Sequence, residues 1–177
     1  MKTKNEIDFE KIDWSAVGGK IDFFYDEAIA YNNKIIEDIN ALNSKGFSML
    51  AGSLAVLCAA VAGLFAVQGK ADMAAAQTAL YVACGSLFVV TFLSLLSVTV
   101  MEIIRGEGSP FNYFSTGIYK QNLPSIKATK LEALHRYIRH NQRVMRRRGL
   151  FVKAAVFAAA SAPVLTVIVF FAAVLCS

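Results

Sequence analysis

The sequence has few of the residues from which catalytic and metal sites are usually built. It contains no Gly-rich phosphate loop, no Ser/His/Asp set and no Cys/His pair. The histidines and cysteines are few, and the cysteines show no short spacing: His135, His140, Cys58, Cys84 and Cys176. The one Glu-x-x-His step, at Glu132 and His135, lacks the second step and further carboxylates of a di-metal site. We therefore expect no enzyme activity, no metal site, no cofactor and no disulfide.

Charge is absent from three long stretches, residues 46–67, 73–101 and 154–177. All three are rich in Ala, Val, Leu and Phe. The shortest has 22 residues, and as a helix it would measure ~33 Å, enough to cross ~30 Å of hydrocarbon. A soluble protein of 177 residues cannot bury three helices that are apolar on every side. The sequence predicts an all-α membrane protein with three transmembrane helices and a lipid bilayer as its main partner.

The charges outside these stretches are unevenly distributed and predict the topology. Residues 1–45 carry six basic and nine acidic residues, whereas residues 102–153 carry eleven basic and three acidic residues. Cytoplasmic flanks of membrane helices collect Lys and Arg. Four basic residues adjoin the third span, and we expect them to anchor it at the cytoplasmic surface: Arg146, Arg147, Arg148 and Lys153. The N-terminus is then cytoplasmic and the C-terminus lies on the other side.

This topology divides the chain into four segments. Residues 1–45 form a cytoplasmic N-terminal region with a stalk helix, and residues 46–101 form a hairpin of two spans. Residues 102–153 form a basic cytoplasmic loop with a second stalk helix, and residues 154–177 form the third span. The first 20 residues contain no apolar core, so we expect no cleavable signal peptide.

Both polar stalk segments show the spacing of amphipathic helices. In residues 21–45 the apolar side chains recur at steps of three and four: Ile21, Phe24, Ala28, Tyr31, Ile35, Ile39 and Leu42. In residues 127–148 one face carries Leu131, Leu134, Ile138, Asn141 and Met145, and another carries Arg136, Arg139, Arg143 and Arg147. We predict that each stalk continues into a span and packs on the other stalk or on a neighbouring subunit.

The spans offer packing surfaces rather than transport chemistry, because they contain no charge. Small residues at small-xxx-small spacing allow close helix packing, within one subunit or between subunits of a homo-oligomer. The second span carries five hydroxyl side chains: Ser86, Thr91, Ser94, Ser97 and Thr99. They either line a wet path in an oligomer or bond back to carbonyls one turn earlier, and we favour the second interpretation.

Basic and aromatic residues lie close in sequence in the part of the loop that is not needed for anchoring. We predict that Lys130, Arg136 and Arg139 contact a phosphate and that Tyr113 or Tyr137 stacks on a base. Together they would form a site for an anionic, stackable ligand such as a nucleotide. The alternative interpretation of these residues is a solvated basic face. We expect no nucleic-acid partner.

Two short patches of sequence resemble a known family. The first is Asn43, Ser44, Lys45 and Gly46 with Leu50, at the entry to the first span. The second runs from residues 137–142 through 146–148 into Lys153 and Ala154. These patches are similar to the corresponding steps of the transmembrane effectors of Pycsar, the bacterial antiphage systems that signal through cyclic pyrimidine nucleotides.

The resemblance implies a function and a location. It implies an effector that is silent until a partner cyclase makes cyclic CMP (cCMP) or cyclic UMP (cUMP) after infection. The effector would then assemble and impair the bacterial inner membrane, causing abortive infection, with its C-terminus in the periplasm. The alternative is an immunity-type or structural small membrane protein without a nucleotide ligand. A holin ranks last, because it needs no long cytoplasmic loop with its own amphipathic helix.

Overall fold

In the computed structural model, the structure describes residues 12, 17, 19–99, 102–104 and 123–176. All regular secondary structure in these residues is helical, which confirms the all-α prediction. Helix α1 is Lys20–Val67, helix α2 is Ala74–Thr99 and helix α3 is Leu123–Cys176. A single 3-10 turn, Ala71–Met73, precedes α2.

Each of the three helices is long and apolar enough to cross a membrane. They contain 48, 26 and 54 residues respectively. The predicted spans lie within these helices, with two exceptions: residue 73 belongs to the 3-10 turn, and residues 100, 101 and 177 are outside the described residues. Little of each apolar stretch is buried within the protein. The helices therefore indicate association with a lipid bilayer, and they are compatible with a multi-pass membrane protein.

A tight turn at Gly69 ends α1 and leads to α2. Gly69 has a φ of 81°, a left-handed conformation that only glycine adopts readily and that commonly follows the last residues of a helix. The N–H of Lys70 donates to the carbonyl of Val67 at 3.2 Å, and the N–H of Met73 donates to the carbonyl of Lys70 at 3.1 Å. The connection between the first two apolar helices is therefore short and hydrogen-bonded.

By its contacts the chain divides into two compact units. Unit 1 comprises Met1–Glu37 and Glu102–Arg143, and unit 2 comprises Asp38–Met101 and Val144–Ser177. The segments 21–45 and 127–148 are parts of α1 and α3 rather than separate helices.

In unit 1, α1 and α3 lie side by side and run in the same direction. Ile21, Ile35 and Leu134 are buried there, but Phe24 and Tyr31 are 47% and 50% exposed, although their spacing places them on the apolar stripe. The reason is angular: the two aromatic residues lie ~80–100° around the helix axis from the buried Asn32. They therefore border the packed face instead of filling it.

Unit 2 buries small and polar side chains together with a few branched apolar ones, Ile39, Val90, Val144 and Val152, and leaves many large apolar side chains exposed. Ser53, Ser94 and Ser97 are buried, whereas Phe65 and Phe157 are 71% and 77% exposed. Exposed apolar surface on this scale marks a membrane-facing or protein-binding surface. Small inward-facing residues let the helices approach closely, as is typical of helix packing in lipid.

Most hydroxyl side chains of α2 bond back along their own helix, as the sequence predicts. Four of the five hydroxyl side chains donate a hydrogen bond to a carbonyl oxygen about one turn earlier: Ser86 to Val82 O at 2.9 Å, Thr91 to Leu87 O at 2.9 Å, Ser97 to Ser94 O at 2.6 Å and Thr99 to Leu95 O at 2.9 Å. The Thr91 Oγ1 also lies 3.0 Å from the Ser53 Oγ of α1. These hydroxyls thus serve packing and local hydrogen bonding.

Candidate functional site

The predicted ligand residues of α3 lie on two different sides of that helix. Lys130 and Tyr137 are only ~20° apart around the helix axis, and Arg136 and Arg139 are ~60° apart. Each arginine is at least ~100° away from both members of the first pair. The helix therefore brings these residues together as two pairs, and the fifth predicted residue, Tyr113, lies outside the described residues.

The pair containing Lys130 faces α1. The Lys130 Nζ lies 6.0 Å from the centre of the Tyr25 ring, a distance at which an ammonium group is still attracted by an aromatic face. Tyr137 is half-buried on the same side of α3. Two tyrosine rings and an ammonium group thus occur on one side of α3, and this is the combination that a nucleotide site needs.

The arginine pair has a different environment. The Arg136 side chain is 72% exposed and pairs with Glu132, four residues earlier, at 2.6 Å. Arg139 is half-buried. An exposed pair of this kind contributes little to stability, so an anion can compete with Glu132 for the Arg136 guanidinium at small cost.

Unit 1 contains a buried hydrogen-bonded group, the amide cluster, which consists of Asn32, Asn141 and the backbone of Ile104. The Asn141 Nδ2 donates to Asn32 Oδ1 at 3.0 Å and to the Ile104 carbonyl at 2.8 Å. The Ile104 N–H donates to Asn141 Oδ1 at 3.1 Å. Asn141 is completely buried and Asn32 is 2% exposed. One side chain thus joins α1, α3 and the segment 102–104.

Two further contacts flank the amide cluster. A ring nitrogen of His140 lies 2.9 Å from the carbonyl oxygen of Glu102. The Gln142 Nε2 donates to the Tyr31 hydroxyl at 3.0 Å. Three consecutive side chains of α3 therefore form hydrogen bonds to α1, to the segment 102–104, or to both. The loop that contains Tyr113 begins with this segment.

Sequence reasoning placed Asn141 on the apolar face but attached no role to it, and it missed Asn32. A signal was present, because Asn32 is four residues after Ala28 and three before Ile35, on the helix face that packs. An amide on a packed face is nearly always hydrogen-bonded. Two such amides, one in each amphipathic segment, predict a pair even though the sequence does not say which backbone they bind.

The predicted anchoring residues are also not equivalent. Arg146, Arg147 and Lys153 are exposed, but Arg148 is only 5% exposed and donates to the Asn43 side chain within unit 2. Burial lowers the pKa of the Arg148 guanidinium, yet arginine stays charged in proteins. Arg148 thus contributes to helix packing, whereas the side chains of the other three residues are exposed.

Within the described part of the chain, no three His, Cys, Asp or Glu side chains come together as a metal site. All three cysteines are free thiols. Comparison of the chain with family models, curated proteins and solved structures gives no match.

Proposed function

We propose that this protein is an antiphage defence effector of the bacterial inner membrane. Its cytoplasmic part senses a cyclic pyrimidine nucleotide, cCMP or cUMP, made by a partner cyclase, and its apolar helices then impair the membrane and cause abortive infection. The observation that carries the proposal is the amide cluster, which ties two long helices to the start of the basic and aromatic loop.

The orientation rests on the basic residues that precede the third apolar stretch. Arg146, Arg147 and Lys153 are exposed, and such residues are retained on the cytoplasmic side. Near anionic lipid each gains ~1 kcal/mol. The polar parts of α1 and α3 are then two cytoplasmic stalks, and the C-terminus is periplasmic.

The ligand chemistry follows from the pair that faces α1. The Lys130 ammonium binds the cyclic phosphate, and Tyr137 or Tyr113 stacks on the pyrimidine, because every base offers a face for stacking. Arg136 and Arg139 lie on another side of α3. They can contact a phosphate only if the ligand binds at that side. The stronger assignment is therefore to Lys130 and Tyr137.

The amide cluster explains how binding reaches the membrane helices. A ligand that contacts the loop displaces the segment 102–104, whose Ile104 backbone is bonded to Asn141 and through it to Asn32. Asn141 cannot move without exchanging these partners, since a buried amide left unpaired costs ~1–3 kcal/mol. The cluster thus favours discrete arrangements, and the nucleotide shifts the population only if it binds one of them better. The unbroken helices α1 and α3 carry the change into their apolar parts.

The test measures nucleotide binding and membrane damage separately. We expect the purified full-length protein in detergent to bind cCMP or cUMP by calorimetry, and cells that express it to take up an impermeant dye only when that nucleotide is present. Lys130→Ala removes a charge-assisted bond and should weaken binding about tenfold or more. Lys34→Ala, which removes an exposed lysine from α1, is the matched control and should change neither readout.

Two results would contradict the proposal. One is the absence of binding to either nucleotide by the unmodified protein, which favours an immunity-type or structural role. The other is equal affinity for the Lys130→Ala and Lys34→Ala variants, which removes the ligand assignment.

A further inference from the structure

Unit 1 presents two exposed faces of opposite charge. The acidic face of α1 consists of Asp26, Asn33 and Glu37, with the aromatic ring of Phe23 at one end. The arginine face of α3 consists of the exposed Arg136 and Arg143 and the half-buried Arg139, and it includes one acidic residue, Glu132, which pairs with Arg136. Asp26, Glu37 and Arg143 form no ion pair with any residue that the structure describes.

Both faces point away from the packing between α1 and α3. Asp26 and Glu37 lie ~120–140° around the axis of α1 from the buried Asn32. Arg136 and Arg143 lie ~140–160° around the axis of α3 from the buried Asn141. Opposite charges on two outward-facing sides of one protein cannot pair within a single copy, but they can pair between copies.

The two faces also stand at similar levels along the helices. Contacts between α1 and α3 fix the levels: Asp22 pairs with Lys127 at 2.5 Å, and Asn32 bonds to Asn141 at 3.0 Å. When the two helices are aligned by these contacts, Arg136 lies at the height of the α1 residues a few positions after Asp26. Arg143 lies at the height of the α1 residues just before Glu37. The remaining offsets are about one helical turn, ~5 Å, which the long side chain of arginine can span.

Phe23 adds an apolar anchor to this surface. Its ring is 62% exposed and makes an edge contact with Phe24 at a centroid distance of 5.7 Å. Exposed aromatic residues in polar surroundings are typical of the central contacts of protein interfaces. A partner that covers the acidic face buries this ring at the same time.

Lipid headgroups do not account for the arginine face. Arg136 precedes the third apolar stretch, which begins at residue 154, by 18 residues, and this corresponds to ~27 Å of helix. A polyanion such as RNA is disfavoured, because the acidic face of the same unit repels it. A second copy of this chain offers the complementary charge at the matching level.

We propose that the arginine face of one copy packs against the acidic face of a second copy. This inference rests on the proposed membrane orientation, because copies in one membrane share the direction of their helices and are related by rotation about the membrane normal. A contact between two different faces is head-to-tail, and under such a rotation it closes into a ring. Confinement to the membrane raises the effective concentration, so individually weak ion pairs suffice to select this arrangement.

The test uses two charge-reversed versions of the full-length protein and needs no nucleotide. The first, Asp26→Arg with Glu37→Arg, makes both faces positive, and the second, Arg136→Glu with Arg143→Glu, makes both faces negative. Particle mass is measured in detergent and in nanodiscs by light scattering, and helix content by far-UV circular dichroism. We expect the unmodified protein to be oligomeric and each variant alone to be a monomer of native helix content.

The decisive measurement is the mixture of the two variants. Positive faces of one variant then meet negative faces of the other on both sides, so co-expression should restore an oligomer in which the two variants alternate. A matched control is Glu27→Arg with Asp38→Arg, which makes the same charge change at exposed residues ~80–120° away from the acidic face. The control should keep the unmodified mass.

Four outcomes would overturn the proposal: a monomeric unmodified protein, variants that keep its mass, a control that dissociates equally, or a mixture that stays monomeric. The mixture tests the contact even if one variant is less stable alone, because pairing with the other variant should restore the oligomer. The masses are measured without nucleotide, so failure of nucleotide binding and failure of this contact give different results.

Discussion

Replacement of Asn141 by alanine is the sharpest test of the structure of unit 1. The Asn141 side chain is completely buried and makes three hydrogen bonds, to Asn32 Oδ1, to the Ile104 carbonyl and to the Ile104 N–H. Asn141→Ala removes all three bonds and leaves three polar groups without their partner.

The expected cost follows from where those three groups lie. Asn32 is 2% exposed, so its amide oxygen cannot reach water, and its loss of a partner costs ~1–3 kcal/mol. Ile104 is half-buried, so water replaces part of the two backbone bonds, each of which contributes ~0.5–1.5 kcal/mol. Together these terms predict a loss of about 2–4 kcal/mol in the free energy of unfolding.

The measurement is the unfolding of the purified protein in mild detergent by titration with sodium dodecyl sulfate, followed by circular dichroism. The matched control is Asn40→Ala, which truncates an exposed asparagine of α1 and should change the free energy of unfolding by less than ~0.5 kcal/mol. The double variant Asn32→Ala with Asn141→Ala should lose less than the sum of the single variants, because the second truncation removes a group that is already unpaired.

Equal stability of the Asn141→Ala and Asn40→Ala variants would refute this reasoning, and so would strict additivity in the double variant. Either result means that the amide cluster is not formed or that water satisfies its members at no cost. In that case the proposed link between the loop and the two helices has no physical basis.

Two other predictions concern single contacts in each unit. A Cβ added at Gly46 would overlap with the Ser97 Oγ and lie 3.3 Å from Val98 Cγ2, whereas one added at Gly52 meets nothing within 4 Å. In the same unfolding titration, Gly46→Ala should therefore lower the free energy of unfolding by ~1–3 kcal/mol, and Gly52→Ala should change it slightly or raise it by up to ~1 kcal/mol. The opposite order of stabilities would contradict the close approach of α1 and α2. The Asp22 side chain that pairs with Lys127 is 59% exposed. Asp22→Ala should therefore lower the free energy of unfolding by less than ~1 kcal/mol, and this difference should vanish in high salt. A larger loss that is the same in titrations at two salt concentrations would contradict the description of this ion pair as a weak surface contact.

The three apolar stretches were predictable as helices because charge-free stretches of this length have few alternatives, although α1 and α3 begin well before them, at Lys20 and Leu123. α1 ends at the residue that the composition predicts, Val67, and the back-bonding of Ser86, Thr91 and Ser97 followed from the preference of short hydroxyl side chains for nearby carbonyls. These features depend on composition and on residues one turn apart. They are local, and local features can be read from a sequence.

The grouping of the predicted ligand residues was harder to obtain. Proximity in sequence suggested one pocket for Lys130, Arg136 and Arg139, but the helix turns Lys130 toward Tyr25 and the arginines elsewhere. Helical periodicity alone separates the two pairs. Only the packing against α1 shows which pair faces a neighbouring aromatic ring.

The sequence by itself determined that the chain is helical and that three of its segments suit lipid, because an uncharged run of this length as a helix matches the thickness of a bilayer. The tertiary structure decided which residues inside the helix pairs meet: Asn32 with Asn141, Arg148 with Asn43, and the backbone of Gly46 with Ser97. These contacts join residues about 50 to 110 positions apart. They depend on the rotation of each helix about its own axis, which periodicity restricts to a face but which only packing against a neighbour specifies.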